Sequence, residues 1–197
     1  MRSTENLPEG YREYYSLDMQ REKSKLLLVN GIALLISLAM VIPVLLLIPI
    51  NTLWNESHDM GKLSVKLVVF LLLSVAYVVL HELVHGIAMK LCGTKKVKYG
   101  FTGMYAFAGS DDYYGKGAYV FIALAPVVLW GIVLAAASAI VSPGWFWVVY
   151  FIQITNISGA AGDLFVTVKF LRFPEDILIK DYGVGMTVYS KTEPKTK

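Results

Sequence analysis

His81, Glu82 and His85 have the residue types and spacing of a zinc-binding pair with a proton acceptor between them. Residues four apart lie on one face of a helix, so both imidazoles could bind the same metal ion. Glu82 could then accept a proton from a water that the zinc activates. Residues 67–80, just before the motif, are almost entirely apolar, and ionisable groups within such a segment are costly and usually functional. The pattern indicates a metalloprotease that works in or at a membrane.

A catalytic zinc usually has three protein ligands and one open position, so a third ligand is expected. Asp163 is the best candidate, because it is the only acidic residue in the last long apolar segment. At the helical rise it would lie about 9 Å inward of Lys169, similar to roughly 7 and 13 Å for the two histidines inward of Lys90. The small residues 158–162 would let the helices approach closely. Asp111 and Asp112 are alternative ligands, although solvated turn residues of this kind are far commoner.

Asn156 lies at helical spacing from Gln153 and Asp163, which places a polar stripe on one face of the last apolar segment. Its amide could hydrogen-bond the substrate backbone or an oxyanion. Alternatively, it could form an interhelical hydrogen bond that only stabilises the helix bundle. The sequence leaves both roles open.

The elements that must position these residues are membrane helices. The chain has 197 residues, is 56% hydrophobic and has a mean hydropathy of +0.56, which is too apolar for an ordinary soluble domain. Four apolar segments are long enough to cross a bilayer, at residues 26–50, 67–89, 118–141 and 145–168. We therefore predict an all-α polytopic membrane protein with four transmembrane helices.

Lysine and arginine predict the orientation of these helices. Sixteen of the eighteen lie in the N-terminal arm, the second loop and the tail, against two in the first loop and none in the third. Both termini should therefore be cytoplasmic, in what we expect to be a bacterial cell membrane, with the basic clusters contacting membrane lipids. The predicted organisation is a cytoplasmic arm at 1–25, a four-helix transmembrane zinc peptidase domain at 26–169 and a cytoplasmic tail at 170–197.

Two segments outside the helices have the composition of strands. In the loop between the second and third helices, residues 97–101 and 104–108 are rich in β-forming residues and broken by glycines, which predicts a short hairpin. In the tail, residues 177–179 and 186–189 flank a turn at 181–185. The single cysteine, Cys92, excludes an intramolecular disulfide and a cysteine-based zinc site.

These motifs resemble those of the small bacterial zincin-type peptidases, and they are similar to the site-2 protease class of intramembrane zinc metalloproteases. The resemblance rests on His-Glu-Leu-Val-His-Gly at 81–86, Ala125-Pro126 and Gly162-Asp163-Leu164. The chain departs from the site-2 protease motif in having no proline between Asn156 and Asp163 and no glycine after Asp163.

In site-2 proteases, two histidines and a later transmembrane aspartate bind zinc, and the glutamate is the general base. The resemblance implies these roles for His81, His85, Asp163 and Glu82. Those enzymes also have a β-structured segment that is thought to present substrate as an added strand. By the same resemblance, substrate contacts are expected at Met104, Tyr105 and Ala106.

The sequence thus predicts a membrane-embedded zinc metalloprotease with one zinc per chain. It would hydrolyse peptide bonds of membrane-associated proteins near the cytoplasmic face, and its partner would be a membrane-anchored protein or peptide rather than a nucleic acid. Two alternatives are a membrane-anchored zinc peptidase for soluble or surface peptides and a catalytically silent metal-binding membrane scaffold.

Overall fold

The computed structural model describes residues 3–18, 21–53, 60–103 and 105–193, so the predicted substrate contact at Met104 lies outside the described residues. The described chain is mostly helical. Its helices are α1 (Lys23–Leu47), α2 (Met60–Leu91), α3 (Lys116–Ile140), α4 (Pro143–Gly159) and α5 (Ala161–Leu171), with a 3₁₀ helix at Ile50–Leu53. Its strands are β1 (Arg12–Leu17), β2 (Lys98–Phe101), β3 (Ala106–Gly109), β4 (Tyr113–Gly115), β5 (Leu178–Asp181) and β6 (Met186–Ser190).

Three of the helices, α1, α2 and α3, are long and apolar enough to cross a membrane, in agreement with the predicted membrane protein. The fourth predicted span is not found as one helix, because α4 ends at Gly159 and α5 begins at Ala161. Glycine has low helix propensity, and Gly159 and Gly162 flank the break. The segment is therefore a 17-residue helix followed by an 11-residue helix.

The chain forms two compact units, and the first is built from the described parts of residues 1–28, 82–126 and 163–197. Its larger sheet has the strand order β1-β6-β5-β4, with every neighbouring pair antiparallel. The strand pair predicted in the tail is confirmed as β5 and β6. The pairing of the N-terminal arm, as β1, with β6 and of β4 with β5 was not predicted. Buried side chains from this sheet and from α2, α3 and α5 form one core, which includes Leu17, Met89, Tyr114, Phe170 and Ile179.

The hairpin predicted after the second helix is confirmed as the antiparallel pair β2–β3, with Lys98 opposite Gly109 and Phe101 opposite Ala106. Two close approaches hold it within this unit. Gly109 packs on the backbone of the β5–β6 turn, where an added Cβ would lie 2.6 Å from the Gly183 nitrogen. The ring of Tyr99 lies against Gly86, at the place that a Cβ would occupy. Gly86 is therefore the residue that lets the hairpin pack closely on α2.

The second unit comprises residues 29–81 and 127–162, and its helices are joined by hydrogen bonds from side chains to backbone carbonyls. Gln153 Nε2 donates to the Gly131 carbonyl at 3.1 Å, and Tyr150 Oη donates to the Met40 carbonyl at 3.0 Å. Such bonds are a common way to join helices where apolar burial alone supplies little driving force.

Candidate metal centre

Helix α2 buries one narrow stripe of its surface, and that stripe carries both motif histidines. Tyr77, His81, His85 and Ala88 are buried, whereas neighbours such as Leu83 are exposed. His81 and His85 are each only 9% exposed. Because buried residues recur every three to four positions, the helical spacing places both imidazoles on the same inward face. The two units divide after His81, but α2 is continuous there, so the helix itself relates His81 to His85.

Asp163 lies in the first turn of α5, where the break at Ala160 has created a new helix N-terminus. A carboxylate is favoured at that end of the helix dipole. Asp163 Oδ2 is 3.8 Å from His85 Nε2. The potential ligand atoms of His81, His85 and Asp163 all lie within 4.8 Å of one another. The structure thus brings together the three residues that the sequence predicts to bind zinc.

The hydrogen bond made by His85 determines which of its nitrogens is available to a metal. His85 Nδ1 is 2.9 Å from the carbonyl oxygen of Ile122 in α3. A carbonyl can only accept, so Nδ1 carries the proton and donates it. Nε2 then carries the lone pair, which could bind a metal, and it lies 3.8 Å from Asp163 Oδ2.

His81 is oriented by a chain of hydrogen bonds that begins on another helix. Asn156 Nδ2 donates to the Val127 carbonyl at 3.2 Å, which turns Asn156 Oδ1 towards Tyr77. Tyr77 Oη donates its single proton to Asn156 Oδ1 at 3.0 Å. The same hydroxyl oxygen lies 2.8 Å from His81 Nδ1, and because its proton is already used, it accepts the hydrogen bond from that nitrogen. His81 is therefore also protonated on Nδ1, and the lone pair that could bind a metal is on its Nε2.

Asn156 is fully buried, and its hydrogen bonds give it the interhelical role that the sequence left open. Its predicted contact with substrate stays a prediction. Tyr77 was not singled out from the sequence. The signal was nevertheless present, because it stands four residues before His81, on the same helix face, in an otherwise apolar segment.

This group of side chains fits a zinc ion. Two imidazole nitrogens and a carboxylate oxygen are a usual ligand set for catalytic zinc, which keeps a fourth position open. Ligands at zinc bond lengths in a tetrahedron are about 3.4 Å apart, so the 3.8 Å between His85 Nε2 and Asp163 Oδ2 needs only a small contraction. Both Nδ1 hydrogen bonds are the outer-shell contacts that such ligands normally have.

The other predicted residues occupy different surroundings. Asp111, an alternative ligand, forms an exposed ion pair with Lys98 at 2.6 Å, and Asp112 accepts a hydrogen bond from Ser3 Oγ at 3.0 Å. Within the described ranges, the metal-binding group found contains Asp163 and neither of them. Glu82 is half-buried and directly follows His81 in α2. Tyr105 lies in the turn of the β2–β3 hairpin, where its carbonyl accepts from Thr102 N at 3.0 Å, and Ala106 begins β3.

A second polar pair, of buried Tyr119 and half-buried Asp181, lies in the first unit. It was also missed from the sequence, which marked Asp181 only as a turn residue. Tyr119 Oη donates to Asp181 Oδ2 at 2.7 Å, and Gly183 N donates to Asp181 Oδ1 at 2.8 Å. Burial raises the pKa of the Asp181 carboxyl, although both hydrogen bonds act in the opposite direction. The pair joins α3 to the end of β5 and stabilises the turn that packs on the hairpin.

The comparison with protein families gives one match. The model of the family described as "Putative zincin peptidase" matches residues 74–178, which is more than half of the chain and includes the three candidate ligands and Glu82. No curated protein and no solved structure gives a significant match.

Proposed function

The chain belongs to the zincin peptidase family, and from that premise we propose that it is a membrane-embedded zinc metalloprotease. The family implies a metallopeptidase that uses zinc. Its substrates, in this proposal, are membrane-associated proteins that it cuts near the cytoplasmic face. One observation carries the proposal: His81, His85 and Asp163 converge, with both histidines oriented through Nδ1, on helices of which α2 is long and apolar enough to span a membrane.

The roles of the residues follow from their positions. His81 and His85 would hold zinc through Nε2, and Asp163 would hold it through a carboxylate oxygen. Zinc, when bound, supplies a Lewis acid that lowers the pKa of water and polarises the scissile carbonyl. Glu82 accepts the proton of the attacking water and passes it to the amine nitrogen as the C–N bond breaks. Its place beside His81 on a half-buried part of α2 supports that role.

The β2–β3 hairpin supports the substrate side of the proposal. The two strands form a two-stranded sheet of their own, so neither pairs with another described strand on its outer side, and an extended peptide could pair there. A substrate helix must unwind before it can be cut, and an added strand would hold it in that form. Tyr105 and Ala106, and Met104 beyond the described residues, remain the proposed contacts.

Metal content and hydrolysis test the proposal together. We expect purified wild type in detergent to hold about one zinc per chain, and His85→Ala and Asp163→Ala to lose it while they stay folded. Glu82→Gln should keep the zinc and lose about 10² to 10⁴-fold in peptide hydrolysis, the usual contribution of a general base. Asp111→Ala, which removes an exposed aspartate outside the group, is the matched control and should retain both properties.

Two results would contradict the proposal. A well-folded wild-type protein that binds no metal would show that the proposed zinc site is absent. Normal hydrolysis by Glu82→Gln would show that Glu82 is not the general base and would favour a catalytically silent scaffold. For the membrane part, the cut site is mapped by mass spectrometry in a reconstituted single-span substrate. If the enzyme cuts only peptides that lack a membrane span, its substrates are soluble peptides and not membrane-anchored proteins.

A further inference from the structure

Pro126 lies in the interior of α3 and is almost completely buried. Proline has no backbone N–H, so it cannot donate the hydrogen bond that residue i of a helix makes to the carbonyl of residue i−4. The carbonyl that loses this partner is that of Ile122. Ile122 is only 2% exposed, so its carbonyl cannot rely on bulk water, and an unsatisfied buried carbonyl is unfavourable.

The Ile122 carbonyl is the group to which His85 Nδ1 donates, at 2.9 Å. The missing helix bond and the histidine bond therefore involve the same oxygen atom. With a residue other than proline at position 126, a backbone N–H would also donate to that oxygen along the helix axis. The oxygen has two lone pairs and could accept both bonds, but the two donors would compete for its charge and weaken the bond from the imidazole. The sequence position of the proline, four residues after Ile122, is the one at which this competition is removed.

We infer that Pro126 is a positioning residue for the zinc ligand His85, because it frees the Ile122 carbonyl to hold His85 in the tautomer that binds a metal through Nε2. The inference rests on the proposed function for the role of His85, and it adds a residue that touches neither the metal nor the substrate. An Nε2-protonated ring has no lone pair on the nitrogen nearest to Asp163. A loss of the Ile122 acceptor would therefore weaken metal binding.

This role gives Pro126→Ala two effects of opposite sign. Alanine restores the helix hydrogen bond and removes an unfavourable residue from a helix interior, so the thermal stability of the metal-free protein should be unchanged or higher. Zinc affinity should fall by about 10 to 100-fold, as is usual when the outer-shell partner of a histidine ligand is lost. A proline that only shapes the helix would not lower zinc affinity in a protein of undiminished stability.

Two further variants test whether the backbone N–H at position 126 causes the change in zinc affinity. Pro43→Ala makes the same change inside α1, at an exposed proline, and should leave zinc affinity unchanged. Incorporation of lactic acid, the α-hydroxy analogue of alanine, at position 126 replaces the N–H by an ester oxygen. It has the side chain of the alanine variant without its donor, so zinc affinity should return to within a few-fold of the wild-type value.

The experiment measures zinc affinity by chelator competition on the full-length protein in detergent. It also measures, by ¹⁵N NMR on the metal-free protein at a pH where the His85 ring is neutral, which ring nitrogen keeps the proton. We expect a single Nδ1-protonated ring in wild type and in the lactic acid variant, and a mixture in Pro126→Ala. An unchanged affinity in Pro126→Ala, or an Nε2-protonated His85 in wild type, would overturn the inference. Wild type that binds no zinc would instead overturn the proposed function, while the tautomer would still decide whether Pro126 orients His85.

Discussion

The two histidines of the candidate metal centre are oriented by partners of different kinds. His85 donates to a backbone carbonyl, whereas His81 donates to a side chain, Tyr77, which in turn depends on Asn156. A backbone acceptor can be altered only through its neighbours in the helix. The side-chain relay can be interrupted by removing a single hydroxyl group, so its contribution can be measured directly.

We expect Tyr77→Phe to weaken zinc binding by about 10 to 100-fold, because His81 Nδ1 then loses its acceptor and its ring is no longer held in one tautomer. The measurement is zinc affinity by chelator competition, together with the visible spectrum of the cobalt-substituted protein, which reports ligand geometry. Tyr150→Phe is the matched control. It removes a hydroxyl of α4 that donates to the Met40 carbonyl of α1 and to neither histidine. Equal losses of affinity in the two variants would contradict a specific role for Tyr77.

At the scale of elements, the hairpin is held on α2 by the absence of a side chain. Gly86 directly follows His85, and the Tyr99 ring of β2 occupies the space beside it. This glycine is therefore a packing residue, although its place in the motif could suggest a chemical role. The contact relates the hairpin that we propose to bind substrate to the helix that carries the two candidate histidine ligands.

Gly86→Ala should displace the Tyr99 ring from α2, and the packing lost should offset the gain of about 1 kcal/mol that alanine has over glycine in a helix, so the protein is no more stable than wild type. Adding Tyr99→Ala should relieve most of that loss, since the methyl group then has room. A double-mutant cycle on thermal unfolding measures this coupling. Additive effects of the two substitutions would show that the ring and the glycine do not share one contact.

The end of β6 is held by a carboxylate. Asp176 Oδ2 accepts from the backbone N–H of Lys191 at 2.8 Å, and Asp176 Oδ1 accepts from Ser190 Oγ at 3.0 Å. These bonds, chiefly the one from Lys191, hold the pKa of Asp176 below its ordinary value of 3.8. A depressed folded-state pKa stabilises the protein above the unfolded-state pKa, and this stabilisation is lost as the pH falls through the folded-state value.

Asp176→Ala should therefore lower the unfolding temperature at pH 7, and the difference from wild type should shrink as the pH falls below 3.8. Thermal unfolding in detergent at a series of pH values measures it. Glu9→Ala, which removes an exposed carboxylate, is the control and should show little difference at any pH. A gap between Asp176→Ala and wild type that is equally wide at pH 7 and pH 3 would contradict the assignment.

At the scale of the whole molecule, the pairing of β1 with β6 constrains the path of the chain. Arg12 lies opposite Ser190 in one sheet, so the segment before α1 and the segment after α5 are neighbours. Open sheet edges are not tolerated in hydrocarbon, so both segments should lie on one side of the bilayer. The chain would then cross an even number of times. With α1, α2 and α3 of sufficient length, we expect α4 and α5 together to make the fourth crossing.

Reporter fusions test this topology. Fluorescent-protein and alkaline-phosphatase fusions at each end should both report the cytoplasm, as the distribution of lysine and arginine predicts. A reporter inserted within residues 54–59, which the sequence predicts to be outside, should report the opposite side. Ends on different sides would contradict both the four-span prediction and the sheet-based argument.

Much of the candidate site could be predicted from the sequence, because its chemistry is local. The spacing of His81 and His85 needs only the helical period, and the apolar segments need only the thickness of a bilayer. The hairpin and the tail strands could be predicted because glycines and β-forming residues act within a few positions. Asp163 could be predicted because an isolated carboxylate in an apolar segment needs a partner.

The remaining features depend on how distant segments pack against one another. Helix α2 is apolar on nearly every side, so hydrophobicity alone does not show which face is buried. The role of Tyr77 depends on its hydrogen bond to Asn156, which lies on another helix. The bond from His85 to the Ile122 carbonyl joins residues 37 positions apart, and β1 pairs with a strand about 170 residues later. Such pairings depend on how distant segments pack and not on local periodicity. The sequence alone therefore identifies the candidate ligands and the segments that carry them, whereas the packing of those segments sets how each side chain is held.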